Sequence, residues 1–169
     1  MDAGLLIARF VFGLLMAAHG TQKLFGWFGG YGLTAVSGYF ESLGFRPGRF
    51  FALVASLTEV VGGVLVAAGF FGPIGPALVL SVMIVAALTV HAPHGLFAAS
   101  NGIEVPLLYG AAALALGLTG PGAYSLDSAL GLSSVWTPAI VWSILLVGAI
   151  GGVLNVAVRR APQQVAASA

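Results

Sequence analysis

Long apolar runs, broken by Gly-Pro pairs and isolated charges, set the pattern of this chain. A run of about 20 residues crosses roughly 30 Å of hydrocarbon, and five candidates stand out. The first covers residues 4–25 and is interrupted by Arg9, His19 and Lys23. The second, 50–71, carries Glu59 as its only charge and stops at Gly72-Pro73. The third, 75–91, follows almost at once, which predicts a tight antiparallel hairpin, and Ala92-Pro93-His94-Gly95 ends it. The fourth, 104–118, is short for a full crossing and stops at Thr119-Gly120-Pro121-Gly122. The fifth, 137–158, is uniformly apolar and is closed by Arg159-Arg160.

Residues 26–49, between the first two runs, are too polar to cross. Leu33, Val36, Phe40 and Leu43 nevertheless recur at three- and four-residue spacing, giving one apolar helix face. This predicts a short interfacial helix over 33–43, with Trp27 and Tyr31 at headgroup level.

Composition points the same way. Of 169 residues 59% are hydrophobic and 7% charged, with a mean hydropathy of +1.06, whereas a soluble domain carries about a quarter of its residues as charges. So few charges cannot cover a surface in water, so the expected fold is all-α, a polytopic membrane helix bundle. The absence of Cys excludes disulfide scaffolds, thiol redox chemistry, Cys-ligated zinc and iron–sulfur clusters. A formal net charge of +1 supplies no phosphate-tracking stripe, so no nucleic-acid partner is expected. Asp2 stands where a signal peptide would have Lys or Arg, so the first run is read as a span. No pattern repeats, which gives an inverted-repeat transporter no direct support.

Lys and Arg in short loops set orientation. With five spans, Lys23, Arg46, Arg49, Arg159 and Arg160 fall on one side, and Asp2 and Asp127 on the other. This predicts an amino end outside and a carboxyl end in the cytoplasm.

A charge within hydrocarbon costs about 2.5 kcal/mol or more at mid-helix, so its presence asks for a partner. On the first span Arg9, Gly13, Met16, His19, Gly20 and Lys23 fall within an arc of about 120°. On the second, Ala52, Ala55, Ser56, Gly62 and Gly63 share the face of Glu59, which lets another helix approach closely. Arg9 and Glu59 are therefore expected to meet inside the bundle. His19 and Lys23 lie toward the inner end, where His91 ends the third span and Glu104 begins the fourth. The candidate pocket or proton path is thus Arg9, His19, Lys23, Glu59, His91 and Glu104, with Gln22, His94 and Asn101 as further contributors. The competing reading is a structural Arg9–Glu59 pair with histidines bonded to backbone carbonyls. His19 and His91 could ligate a haem, but no attachment motif accompanies them and none is expected. No metal site is expected either, because His91, His94 and Glu104 straddle a Gly-rich turn without a recognised spacing.

At these residues the chain resembles the DoxX family of small bacterial membrane proteins. The matching stretches are Arg9 with His19-Gly20-Thr21-Gln22-Lys23-Leu24-Phe25-Gly26, Phe40-Glu41-Ser42-Leu43-Gly44, and Glu59-Val60-Val61-Gly62-Gly63. Val90-His91, Pro93-His94-Gly95-Leu96-Phe97, Asn101-Gly102 and Glu104-Val105-Pro106-Leu107-Leu108 follow, then Gly120-Pro121-Gly122-Ala123-Tyr124-Ser125-Leu126-Asp127. The resemblance implies a four-helix membrane domain over 4–130, to which this chain adds a transmembrane helix over 137–158 and a short cytoplasmic tail over 159–169. It implies a place in the bacterial inner membrane and a link to redox metabolism, since the family is similar to a membrane subunit of thiosulfate:quinone oxidoreductase. Without Cys, a thiol-exchange mechanism does not carry over.

Three functions fit these expectations. The first is a redox-associated membrane subunit, not a self-sufficient enzyme, holding a quinone or a small sulfur-containing or other polar molecule in the pocket. The second is a small-molecule or proton-coupled transporter. The third is a non-catalytic anchor for a soluble or membrane redox partner, recruited through residues 27–49. The expected partners are the bilayer, that redox protein and a second copy of the chain.

Overall fold

The computed structural model describes residues 2–160, so the tail expected beyond Arg160 lies outside the described residues. Among the described residues seven α-helices follow one another: α1 (Asp2–Phe25), α2 (Gly32–Ser42), α3 (Gly48–Ala68), α4 (Ile74–Ala86), α5 (Glu104–Thr119), α6 (Leu126–Ala129) and α7 (Pro138–Ala157). The protein is an all-α membrane helix bundle. α1, α3, α7 and α4 with its continuation to His94 are each long and apolar enough to cross a bilayer. α5 has 16 residues, about 24 Å of rise, and is the shorter member that the sequence suggested.

Small residues decide which helices pair. Arg9, Gly13, Met16 and Gly20 are the buried residues of α1, and the two glycines lie against α3. A Cβ on Gly13 would collide with the Gly63 carbonyl oxygen and with Ala67, and one on Gly20 would enter Val60 and the Ser56 carbonyl. Close backbone approach replaces bulky side-chain packing, as expected where lipid removes the hydrophobic drive for helix association. α4 is central and packs against α3, α5 and α7. α7 meets it through Gly148 and Gly152, four residues apart, whose added Cβ atoms would run into Ala77 and Ser81. Met16, Val79 and Ala113 form one buried apolar cluster, and Ala77, Val141 and Leu145 another.

The α3–α4 hairpin is made by left-handed backbone. Gly69 caps α3 at φ 62°, and Phe71 and Gly72 follow with φ of 58° and 47°. At the other end of the bundle α2 packs onto α3 and α1. Its apolar face, expected to lie on lipid, is turned inward: Val36, Phe40 and Leu43 line a cavity.

Candidate functional site

The bundle holds two polar clusters at opposite ends, not the single cluster read from the sequence. Register is the reason. With Gly13 against Gly63 and Ala67, and Gly20 against Ser56 and Val60, antiparallel α1 and α3 bring Arg9 level with Gly69. Glu59 lies ten residues away along α3, about 15 Å, further than a guanidinium stem reaches. The expected Arg9–Glu59 contact is therefore absent, and each takes another partner.

Lys23, one turn beyond Gly20, pairs with Glu59. Glu59 is 2% exposed and Lys23 32%, so the carboxylate is held in the bundle while the ammonium reaches it from the rim. Glu59 Oε2 has no hydrogen-bond partner among the described residues. This pair forms part of the wall of a cavity of about 610 Å³ between α1, α2, α3 and α4. The remaining wall is largely apolar, with Val36, Phe40, Phe45, Ala55, Val82, Val85 and Val90 among its residues.

His91 reaches this wall because the helix widens. In a uniform α-helix it would stand about 180° from Val82, nine residues earlier. Ala87–His91 instead form a π-turn, whose extra residue brings His91 back by about 100°. Val82, Val85, Ala86, Thr89 and His91 consequently share the lining. The His91 Nδ1 lies 2.8 Å from the Asn101 carbonyl oxygen. A carbonyl only accepts, so Nδ1 carries a proton and donates it to Asn101, which leaves Nε2 as the ring nitrogen without this bond. Partial burial pushes the Tyr39 phenol above its ordinary value, which keeps a neutral hydroxyl on the same wall.

The other sequence candidates have local roles. Gln22 lines the cavity, and its Nε2 donates to the Phe28 carbonyl at 3.1 Å. His19 is exposed, with Nδ1 at 3.2 Å from Gln22 Oε1 and its ring edge-on to Tyr109. His94 is exposed and donates from Nδ1 to the Val90 carbonyl at 2.9 Å. Glu104 accepts from the Ala98 amide at 2.7 Å and fixes the α4–α5 connection, in which Asn101 takes a left-handed turn at φ 63°. His19, His94, Glu104 and Asn101 do not line the cavity. No group of three His, Asp or Glu among the described residues is placed to hold a metal ion.

The second cluster centres on Asp127, which the sequence reading used for orientation and within the DoxX-like stretch ending there, but not as a site residue. Asp127 is fully buried. Its carboxylate accepts from the Phe71 amide at 2.9 Å, the Gly72 amide at 2.6 Å and the Trp136 indole at 2.7 Å. Arg9, 3% exposed, donates to the Tyr124 carbonyl and is attracted by the Asp127 charge. Its guanidinium occupies the space that a Cβ on Gly69 would need. The cluster ties α1, the α3–α4 hairpin and the α5–α7 connection together. It closes one end of the bundle, beside a smaller cavity of about 380 Å³ whose wall includes Gly72, Ser128, Ser133 and Trp136.

The DoxX family model matches residues 4–92, just over half of the chain. The matched stretch contains Lys23, Glu59 and His91; α5, Asp127 and α7 lie beyond it. No curated protein and no solved structure matches this chain.

Proposed function

The chain belongs to the DoxX family, and on that premise we propose that it is a redox-associated membrane subunit whose cavity holds a quinone or a molecule of similar build. The observation that carries this reading is the combination of a largely apolar cavity of about 610 Å³ with one buried ion pair whose Glu59 Oε2 is unmatched. Pockets for small molecules have this character, apolar walls with a few placed polar groups. A quinone ring and tail suit the walls. Lys23 supplies a donor for a carbonyl oxygen, and Glu59 and His91 are groups able to pass the protons that accompany reduction. Electrons would come from a partner, since the chain has no Cys with which to bind an iron–sulfur cluster. The site would face the cytoplasm of a bacterial inner membrane, because Arg46, Arg49, Arg159 and Arg160 lie at its end of the bundle.

Transport along one polar path has less support. Arg9 and Glu59 are separated by the close α1–α3 seam at Gly13 and Gly63, so the described residues form no continuous polar file between the two clusters.

Titration of the purified protein with a short-chain benzoquinone tests the proposal, with thermal unfolding as the readout. A saturable rise in melting temperature is expected for the wild type, with a reduced rise in Glu59→Gln. An equal rise in both, or none in the wild type, would contradict it.

A further inference from the structure

The polar side chains around the large cavity differ in whether their hydrogens or their lone pairs are already used. Gln22 gives an Nε2 hydrogen to the Phe28 carbonyl and turns Oε1 toward His19. His91 gives its Nδ1 hydrogen to the Asn101 carbonyl. Thr89 gives its one hydroxyl hydrogen to the Val85 carbonyl at 2.8 Å, so its oxygen can only accept from a ligand. Lys23 gives a hydrogen to Glu59 Oε1 and does so from the rim. Glu59 is the opposite case. It lines the cavity from within the bundle, and its Oε2 receives no hydrogen bond. A carboxylate paired with an ammonium has lone pairs to offer and no hydrogen.

Glu59 and Thr89 are the polar residues of this wall that are buried, and both present acceptors. The cation with hydrogens to spare, Lys23, is the more exposed group. The hydroxyls of Tyr31 and Tyr39 belong to exposed side chains and serve either role. An unmatched buried carboxylate oxygen is costly, and a hydrogen donated by a ligand removes that cost. A quinone carbonyl has no hydrogen to give, so against Glu59 Oε2 it would set lone pairs on lone pairs. The reduced form carries two hydroxyl groups on the same ring. Charge narrows the choice further: Lys23 already balances Glu59, so a neutral donor fits, whereas an ammonium would leave an excess charge in the bundle.

We propose that the cavity selects its ligand by donated hydrogen, taking a neutral aromatic diol, the quinol, in preference to the matching quinone, with one hydroxyl on Glu59 Oε2. This preference rests on the quinone reading above and adds which redox form the site holds. A site that binds the reduced form about tenfold tighter raises the two-electron potential of the bound couple by about 30 mV. The bound quinone is then easier to reduce than the free one.

Anaerobic calorimetric titration of the full chain in detergent tests this with three ligands built on one tetramethyl ring: duroquinol, duroquinone and the dimethyl ether of duroquinol. The ether keeps the ring and oxygens of the diol and lacks its hydroxyl hydrogens. Duroquinol is expected to bind at least about tenfold tighter than either of the others. Glu59→Gln should remove most of that preference, because a neutral amide oxygen accepts more weakly than a carboxylate. Arg9→Gln, in the other cluster, should keep it. Equal affinity for duroquinol and duroquinone would overturn the proposal and leave the quinone reading standing, and so would an ether that binds as tightly as the diol. An undiminished preference in Glu59→Gln would overturn it by placing the donor contact elsewhere. If none of the three binds, the quinone reading falls with it. The wild-type comparison of the three ligands is decisive even where a variant folds poorly.

Discussion

Replacing Asp127 with asparagine is expected to destabilise the protein by about 3–5 kcal/mol. The carboxylate accepts from two amides of the α3–α4 hairpin and from the Trp136 indole, and its charge attracts the Arg9 guanidinium. An asparagine amide group would turn N–H toward one of those N–H donors, leaving both unmatched, and would remove that attraction from the buried guanidinium. The loss is also topological. Asp127 is the point at which the α5–α7 connection grips the α3–α4 hairpin, and the Asp127 amide adds a bond of 3.1 Å to the Gly69 carbonyl. Thermal unfolding in detergent should fall by on the order of 10 °C. A change within about 1 kcal/mol would show that this cluster does not hold that end of the bundle together.

Lys23→Met should be nearly as costly, and more costly than Glu59→Gln. The two partners are buried unequally, at 32% and 2% exposed. Removing Lys23 strands a carboxylate in the bundle, which must then take up a proton or remain charged at a cost of several kcal/mol. Removing the Glu59 charge instead leaves an ammonium on a flexible stem that can turn outward to headgroups. The expected losses are about 3–5 kcal/mol for Lys23→Met and under about 2 kcal/mol for Glu59→Gln. The double variant should recover much of the Lys23→Met loss. Chemical or thermal denaturation of the three variants measures this directly, and equal single-variant losses would contradict the asymmetry.

Helix faces were legible in the sequence because they depend only on residue spacing. Arg9, Gly13, Met16 and Gly20 were grouped on one arc of the first span and are its buried residues. Ala52, Ser56, Glu59, Gly62 and Gly63 were grouped on the second and are buried in α3. Turn ends were legible for the same local reason, from Gly72-Pro73 to Gly120-Pro121. The axial register between helices was not. A face says which way Arg9 and Glu59 point but not how far one helix slides along the other, and that offset is fixed by the fit of Gly13 and Gly20 against α3. Lys23 was on the correct face and at the correct end, so a count from the Gly20 contact would have found its partner.

Two features gave weaker signals. Asp127 reads as an ordinary loop carboxylate, and its burial depends on amides and an indole that approach from sequence positions 71, 72 and 136. The π-turn that brings His91 to the cavity has no sequence mark beyond Pro93 shortly after it. The α2 face was read correctly as apolar, yet periodicity cannot distinguish a face laid on lipid from one laid on α3 and a cavity.

Because the two clusters are separate, they should respond separately, and mass spectrometry of the small molecules that co-purify with the protein tests this most directly. The wild type and Arg9→Gln, the latter less stable, are both expected to carry the same lipophilic small molecule, while Glu59→Gln folds in good yield and carries little of it. Equal retention in Glu59→Gln and the wild type would contradict a ligand held at the Lys23–Glu59 pair.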